Sequence, residues 1–219
     1  MMTDTKTLAI ACIAATVALV WAEFRNWPNA RRVFKTIAST AFVLVALRQG
    51  AVDSFYGRLI LAGLVLSWVG DMLLLSARSR IFLLGIASFL LAHVAFSAAF
   101  SQLRIDTRAL AVGLAAMTCA GAMVLRWLWP NLKSFYRGAV VAYVAAIVAM
   151  CSLAISVGAA PGAWPLVVGA MAFAASDISV ARNRFVSPGF ANKSWGLPLY
   201  YAAQLVIAFS VGGDYIHAA

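Results

Sequence analysis

Charge is scarce in this chain. Only 11% of its 219 residues are Asp, Glu, Lys or Arg while 64% are hydrophobic, against roughly 25% charged residues in a soluble domain. An ordinary water-soluble fold is excluded, and a bilayer is the natural solvent. Histidine and cysteine are scarcer still, with two and three residues. Cys12, Cys119 and Cys151 all lie in apolar runs and no pair has metal-ligand or redox spacing, which excludes the usual zinc and disulfide patterns. No Gly-x-Ser-x-Gly elbow occurs, so serine hydrolase chemistry has no anchor. Acids are few too: seven Asp and Glu against seventeen Lys and Arg leave a net charge of +10. The cations sit in short clusters between apolar runs, a placement that suits anionic lipid headgroups rather than nucleic acid, for which no motif or contiguous basic face exists.

What is present is a series of eight apolar runs, at residues 7–24, 34–47, 59–75, 82–100, 109–129, 137–157, 164–180 and 195–211. A spanning helix needs about 20 mostly apolar residues. The expected fold is therefore an all-α polytopic membrane bundle of about eight transmembrane helices in a single domain, 1–219. The second run is short and needs Arg31, Arg32, Lys35 and Arg48 to snorkel outward. The first could pass for a signal peptide, but Asp4 weakens its basic flank and an uncleaved helix fits better. Pro, Gly and Asn mark the breaks, as in Asn26-Trp27-Pro28-Asn29 and Ser187-Pro188-Gly189, and Trp21, Trp27, Trp127, Trp129, Trp164 and Trp195 fall near the run ends as an aromatic belt would place them. Twelve of the seventeen cations fall in the odd-numbered loops. The positive-inside rule then puts those loops in the cytoplasm and both termini outside, which suits a bacterial inner membrane.

Two carboxylates interrupt this apolar background. Asp71 follows Gly70 in the third run and Asp177 follows Ser176 in the seventh. A charge at the bilayer centre is costly, by roughly 3 kcal/mol on insertion scales, so such acids face the interior and often mark a reaction or proton path. Each lies a short distance before the cations that end its run, about 10 Å for Asp71 to Arg78 and about 7 Å for Asp177 to Arg182 at 1.5 Å per residue. The common depth makes a shared site possible. Two carboxyls in low dielectric would tend to share a proton, dividing into an acid and a base. Ser67, one turn before Asp71, offers it a hydroxyl, and Gly63, Ser67 and Gly70 form a small-residue face for helix contact.

Other polar groups are weaker candidates. His93 sits mid-run with Ser97 one turn on, placed to hold its ring. In the eighth run Tyr200 and Gln204 share a face, as do Tyr201 and Leu205; a tyrosine near the interface is often a belt residue, which favours Gln204. Lys133, Arg137, Arg182, Arg184 and Lys193 line the same end, as topology determinants or as a phosphate mouth. These readings admit a hydrolase, a proton-coupled transporter using the same buried acids, an aspartyl protease suggested by Gly70-Asp71, or a purely structural bundle.

Four motifs narrow the choice. Gly63-Leu-Val-Leu-Ser67-Trp-Val-Gly70-Asp71, Phe82-Leu-Leu-Gly85-x-x-x-Phe89-x-x-Ala92-His93, Gly169-Ala-Met-Ala-Phe173-Ala-Ala-Ser176-Asp177 and Tyr201-x-x-Gln204 occur in an order that resembles the YhhN family, which includes lysoplasmalogenases. Phe96 departs from the tyrosine expected there, and the first two runs carry no part of the resemblance. The resemblance implies hydrolysis of the vinyl ether bond of a lysoplasmalogen to a fatty aldehyde and glycerophosphoethanolamine or glycerophosphocholine. Asp71 and Asp177 would then be catalytic, with Ser67, Gly70, His93, Ser176, Tyr200, Tyr201, Gln204 and Lys193 supporting or binding substrate. The expected partners are a lysophospholipid held within the bilayer and the membrane lipids themselves. Neither a metal nor a cofactor is required.

Overall fold

The computed structural model describes residues 2–76 and 78–213. They form eight α-helices: α1 (Met2–Phe24), α2 (Pro28–Arg48), α3 (Phe55–Leu73), α4 (Ser79–Phe100), α5 (Thr107–Leu128), α6 (Ser134–Val157), α7 (Trp164–Ala181) and α8 (Phe190–Phe209). The all-α expectation holds. Seven of the helices, all but α2, are long and apolar enough to cross a membrane. Helix α2 is longer than the 34–47 run suggested; its 21 residues reach about 31 Å, but its four cations dilute it. Residues 214–219, on which the placement of the C-terminus depends, lie outside the described residues.

Local chemistry fixes the boundaries. Ser54 and Asp106 cap α3 and α5 by accepting from the Gly57 and Ala109 amides at 2.9 and 2.8 Å. Proline opens α2 and α7 at positions where a missing N–H costs nothing. The chain leaves α2 through Gly50 at φ +84°, a left-handed turn that a side chain would strain. After α7 the helix widens into a π turn, Arg182–Val186, which carries the chain toward α8.

Neighbouring helices pack in a closed circuit, α1 on α2, α2 on α3, α3 on α4, α4 on α6, α6 on α7, α7 on α8 and α8 back on α1. Helix α8 also touches α2 and α3, so it lies toward the inside, and it is the most buried candidate span. Helix α5 packs chiefly along α6, with only 6% of its apolar window covered. Where α7 meets α8, Gly196 sits against Ser179 so closely that a Cβ would lie 2.6 Å from the serine Cβ. The outer surface bears Ile10, Val17, Val112, Met123 and Trp164, all more than half exposed. In water such a surface would aggregate; against lipid it is the correct one.

Candidate functional site

Asp71, near the C-terminal end of α3, is buried with its side chain 3% exposed. Its Oδ1 meets the Lys35 ammonium of α2 at 3.0 Å. Its Oδ2 accepts from Ser39 Oγ at 2.6 Å and from Tyr200 Oη of α8 at 2.8 Å. A cation and two hydroxyl donors suit a carboxylate rather than a carboxyl. Ser39 gives its one proton to Asp71, so the Tyr201 hydroxyl 3.2 Å away must be the donor to Ser39. The Tyr200 ring is held by Phe42, Phe89, Phe173 and Tyr201, which leaves its hydroxyl little freedom.

Asp177, near the C-terminal end of α7, has different company. Its Oδ2 lies 3.2 Å from His93 Nε2 of α4, off the line of an aligned hydrogen bond. Tyr143 of α6 interacts with the same carboxyl and packs edge-on against the His93 ring. The histidine is fully buried, stacked on Phe173 at 4.4 Å, with Nδ1 2.7 Å from the Phe89 carbonyl. A carbonyl only accepts, so Nδ1 carries a proton. Neutral imidazole would then turn a lone pair from Nε2 toward a carboxylate oxygen. The contact is favourable only if one proton resides on Nε2 or on Asp177.

The two carboxylates do not touch one another in any ion pair or hydrogen bond of the described residues, but both line one cavity of about 440 Å³. Tyr200, which bonds Asp71, lines it too. One wall is apolar, from Met117, Gly121 and Val124 of α5 with Val144 and Ile147 of α6. The other end is polar, where Glu23, Arg31, Arg184, Asn192 and Lys193 gather at the odd-loop side of the bundle. Among the described residues no group of His, Cys, Asp and Glu could hold a metal ion.

The profile of the YhhN family matches residues 30–211. The chain belongs to the YhhN family. It is 33% identical over 178 residues to a lysoplasmalogenase of Mycobacterium bovis, covering 78% of this chain and 66% of that protein. It is 32% identical over 158 residues to lysoplasmalogenase TMEM86A of Bos taurus, covering 69% of this chain and 64% of that one. The chain thus spans slightly less than two thirds of the length of these relatives. No solved structure matches it. With its family and seven candidate spans, the chain is an integral membrane protein.

The YhhN match corrects one expectation, since it begins at residue 30 and takes in α2, which the four motifs had left out. That helix supplies Lys35 and Ser39, both absent from the predicted site. Lys35 does not snorkel outward; it turns inward to Asp71. Ser67 is not the hydroxyl on Asp71, and its Oγ is buried with no partner among the described residues. Ser97 holds the His93 backbone carbonyl rather than the ring. The preference for Gln204 over Tyr200 is reversed, because Tyr200 bonds Asp71 while both amide atoms of Gln204 are buried with no partner among the described residues, away from the cavity. Ser176 and Lys193 do line the cavity, Ser176 with its hydroxyl donated to the Phe173 carbonyl. Gly70 serves packing, pressed against the Phe89 ring. Arg31, Lys35 and Ser39 recur every fourth residue, one stripe on α2, and that period was the signal for the missed residues.

Proposed function

We propose that this protein hydrolyses the vinyl ether bond of a lysoplasmalogen within the membrane, releasing a fatty aldehyde and a glycerophospho-alcohol. The observation that carries the reading is that two intramembrane carboxylates with opposite hydrogen-bonding surroundings line one cavity with an apolar wall and a cationic mouth. The similarity to proteins named lysoplasmalogenase supports it. By the charge distribution of its loops, the cavity opens on the cytoplasmic side of a bacterial inner membrane.

The chemistry needs one proton in and one proton out. Asp177, sharing a proton with His93, donates it to the β carbon of the vinyl ether, whose π electrons form the new C–H bond. The adjacent carbon becomes an oxocarbenium ion. Asp71, held as a carboxylate by Lys35, Ser39 and Tyr200, stabilises that cation electrostatically. Water attacks the same carbon and gives its proton back to the Asp177–His93 pair. The hemiacetal then collapses, the carbon–oxygen bond to glycerol breaks, and the glycerol oxygen takes the hydroxyl proton. No redox partner enters the balance.

The test is aldehyde release from lysoplasmalogen by detergent-purified protein and by the Asp71→Asn and Asp177→Asn variants. Turnover by the parent and its loss in both folded variants is expected. Full turnover by either variant would sink the two-carboxylate mechanism. Activity in detergent also separates hydrolysis from proton-coupled transport, which needs a sealed vesicle.

A further inference from the structure

Three charged side chains meet at the polar end of the cavity, each from a helix end where its charge is unfavourable. Glu23 is in the last turn of α1, and Arg31 and Lys193 are in the first turns of α2 and α8. A helix dipole favours cations at its C-terminus and anions at its N-terminus, so all three oppose their own helices. Neither α2 nor α8 has an acidic residue in its first turn or a side-chain cap. Among the described residues, two cations from such helix starts therefore meet at one carboxylate, Glu23. The balance is positive and suits an anion.

The carboxylate is only half used. Lys193 Nζ lies 2.7 Å and Arg31 Nη1 3.5 Å from the same oxygen, Glu23 Oε2. No described donor bonds Oε1. The Glu23 side chain is 10% exposed, and the Arg31 Nε is buried with no partner among the described residues. All three residues line the cavity that contains Asp71. Arg31 precedes Lys35 by one helical turn on the same face, about 6 Å along the axis, and Lys35 holds Asp71.

We propose that Glu23, Arg31 and Lys193 form a subsite for a zwitterionic phosphoethanolamine headgroup. Arg31 and Lys193 take the phosphodiester, and Glu23 Oε1 accepts from the primary ammonium. A trimethylammonium group has no N–H to donate, so choline headgroups bind more weakly. The subsite rests on the lysolipid reading above and adds to it a choice of headgroup. Glu23 lies before the family-matched region, 30–211, while Arg31 and Lys193 lie within it.

The experiment measures binding without turnover, so its outcome is separate from that of the aldehyde assay. Detergent-purified full-length protein is titrated with saturated 1-O-alkyl lysophospholipids, which lack the vinyl double bond and cannot be hydrolysed by this route. The ligands carry ethanolamine or its mono-, di- and trimethylated forms. Affinity is expected to fall across the series, by about tenfold from ethanolamine to choline, a difference of ~1.4 kcal/mol. Glu23→Met, which has no oxygen acceptor, is expected to erase the preference, and Lys193→Gln to weaken both end members alike. Equal affinity for ethanolamine and choline forms in the parent protein would overturn the proposal. So would a preference that survives in folded Glu23→Met, or the absence of binding by any of the four lipids. Because the methylation series uses the parent protein alone, a variant that fails to fold does not leave the question open.

Discussion

Replacing Lys35 with Met keeps the side-chain stem and removes only the charge. The ion pair it breaks is 3.0 Å long with side chains 12% and 3% exposed, so water screens it little. Removing one partner of such a pair leaves the other buried and uncompensated, at about 3–5 kcal/mol. Asp71 still accepts from Ser39 and Tyr200, each bond to a charged group being worth about 1.5–3 kcal/mol, which places the loss near the lower end. A loss of about 3 kcal/mol lowers the melting temperature of a chain this size by about 6–12 °C. The assay is thermal unfolding of the detergent-purified protein, followed by intrinsic tryptophan fluorescence. The double variant Lys35→Met/Asp71→Asn removes both charges and is expected to be more stable than Lys35→Met alone, since no unpaired ion remains. A single variant that melts within about 2 °C of the parent, against the 2–4 °C expected per kcal/mol, would refute the reasoning. So would a double variant that loses the sum of the single losses.

Two further outcomes follow from packing and polar burial. Gly196→Ala is expected to destabilise by about 1–3 kcal/mol, because the new methyl overlaps Ser179 Oγ; Ser179→Gly in the same chain should restore the melting temperature, and failure to do so would place the strain elsewhere. Gln204→Met is expected to raise the melting temperature, because a buried amide with no described partner costs about 1–3 kcal/mol; a fall would mean that the amide is satisfied in the folded protein.

The helices and the two acids were legible in the sequence for the same reason: an apolar run is visible by composition, and a carboxylate inside it is visible by contrast. Asp71 and Asp177 also line one cavity. What surrounds each acid was not legible. Hydropathy averages over a run, so Arg31, Lys35 and Ser39 registered only as a weak second span, although their four-residue spacing marks a single polar stripe. On α8, Tyr200 and Gln204 share a face, and spacing alone does not say which turn stands level with the cavity. The idea of one proton shared between two carboxyls took no account of partners from distant helices. Lys35 and Tyr200, 36 residues before and 129 after Asp71 in the chain, give it a cation and a donor, while His93 gives Asp177 a base.

The Lys35–Asp71 pair has a consequence for how the chain is made. Helices leave the ribosome in order, and α2 and α3 are adjacent, joined only by the short turn around Gly50. Each alone would bring to the bilayer a charge that costs about 2.5–3.5 kcal/mol at its centre. Partitioning as a hairpin, they bring one neutralised pair, and Ser39 comes with it. Tyr200 joins only when the eighth helix arrives, near the end of synthesis. The nascent chain therefore neutralises the acid long before it encloses it.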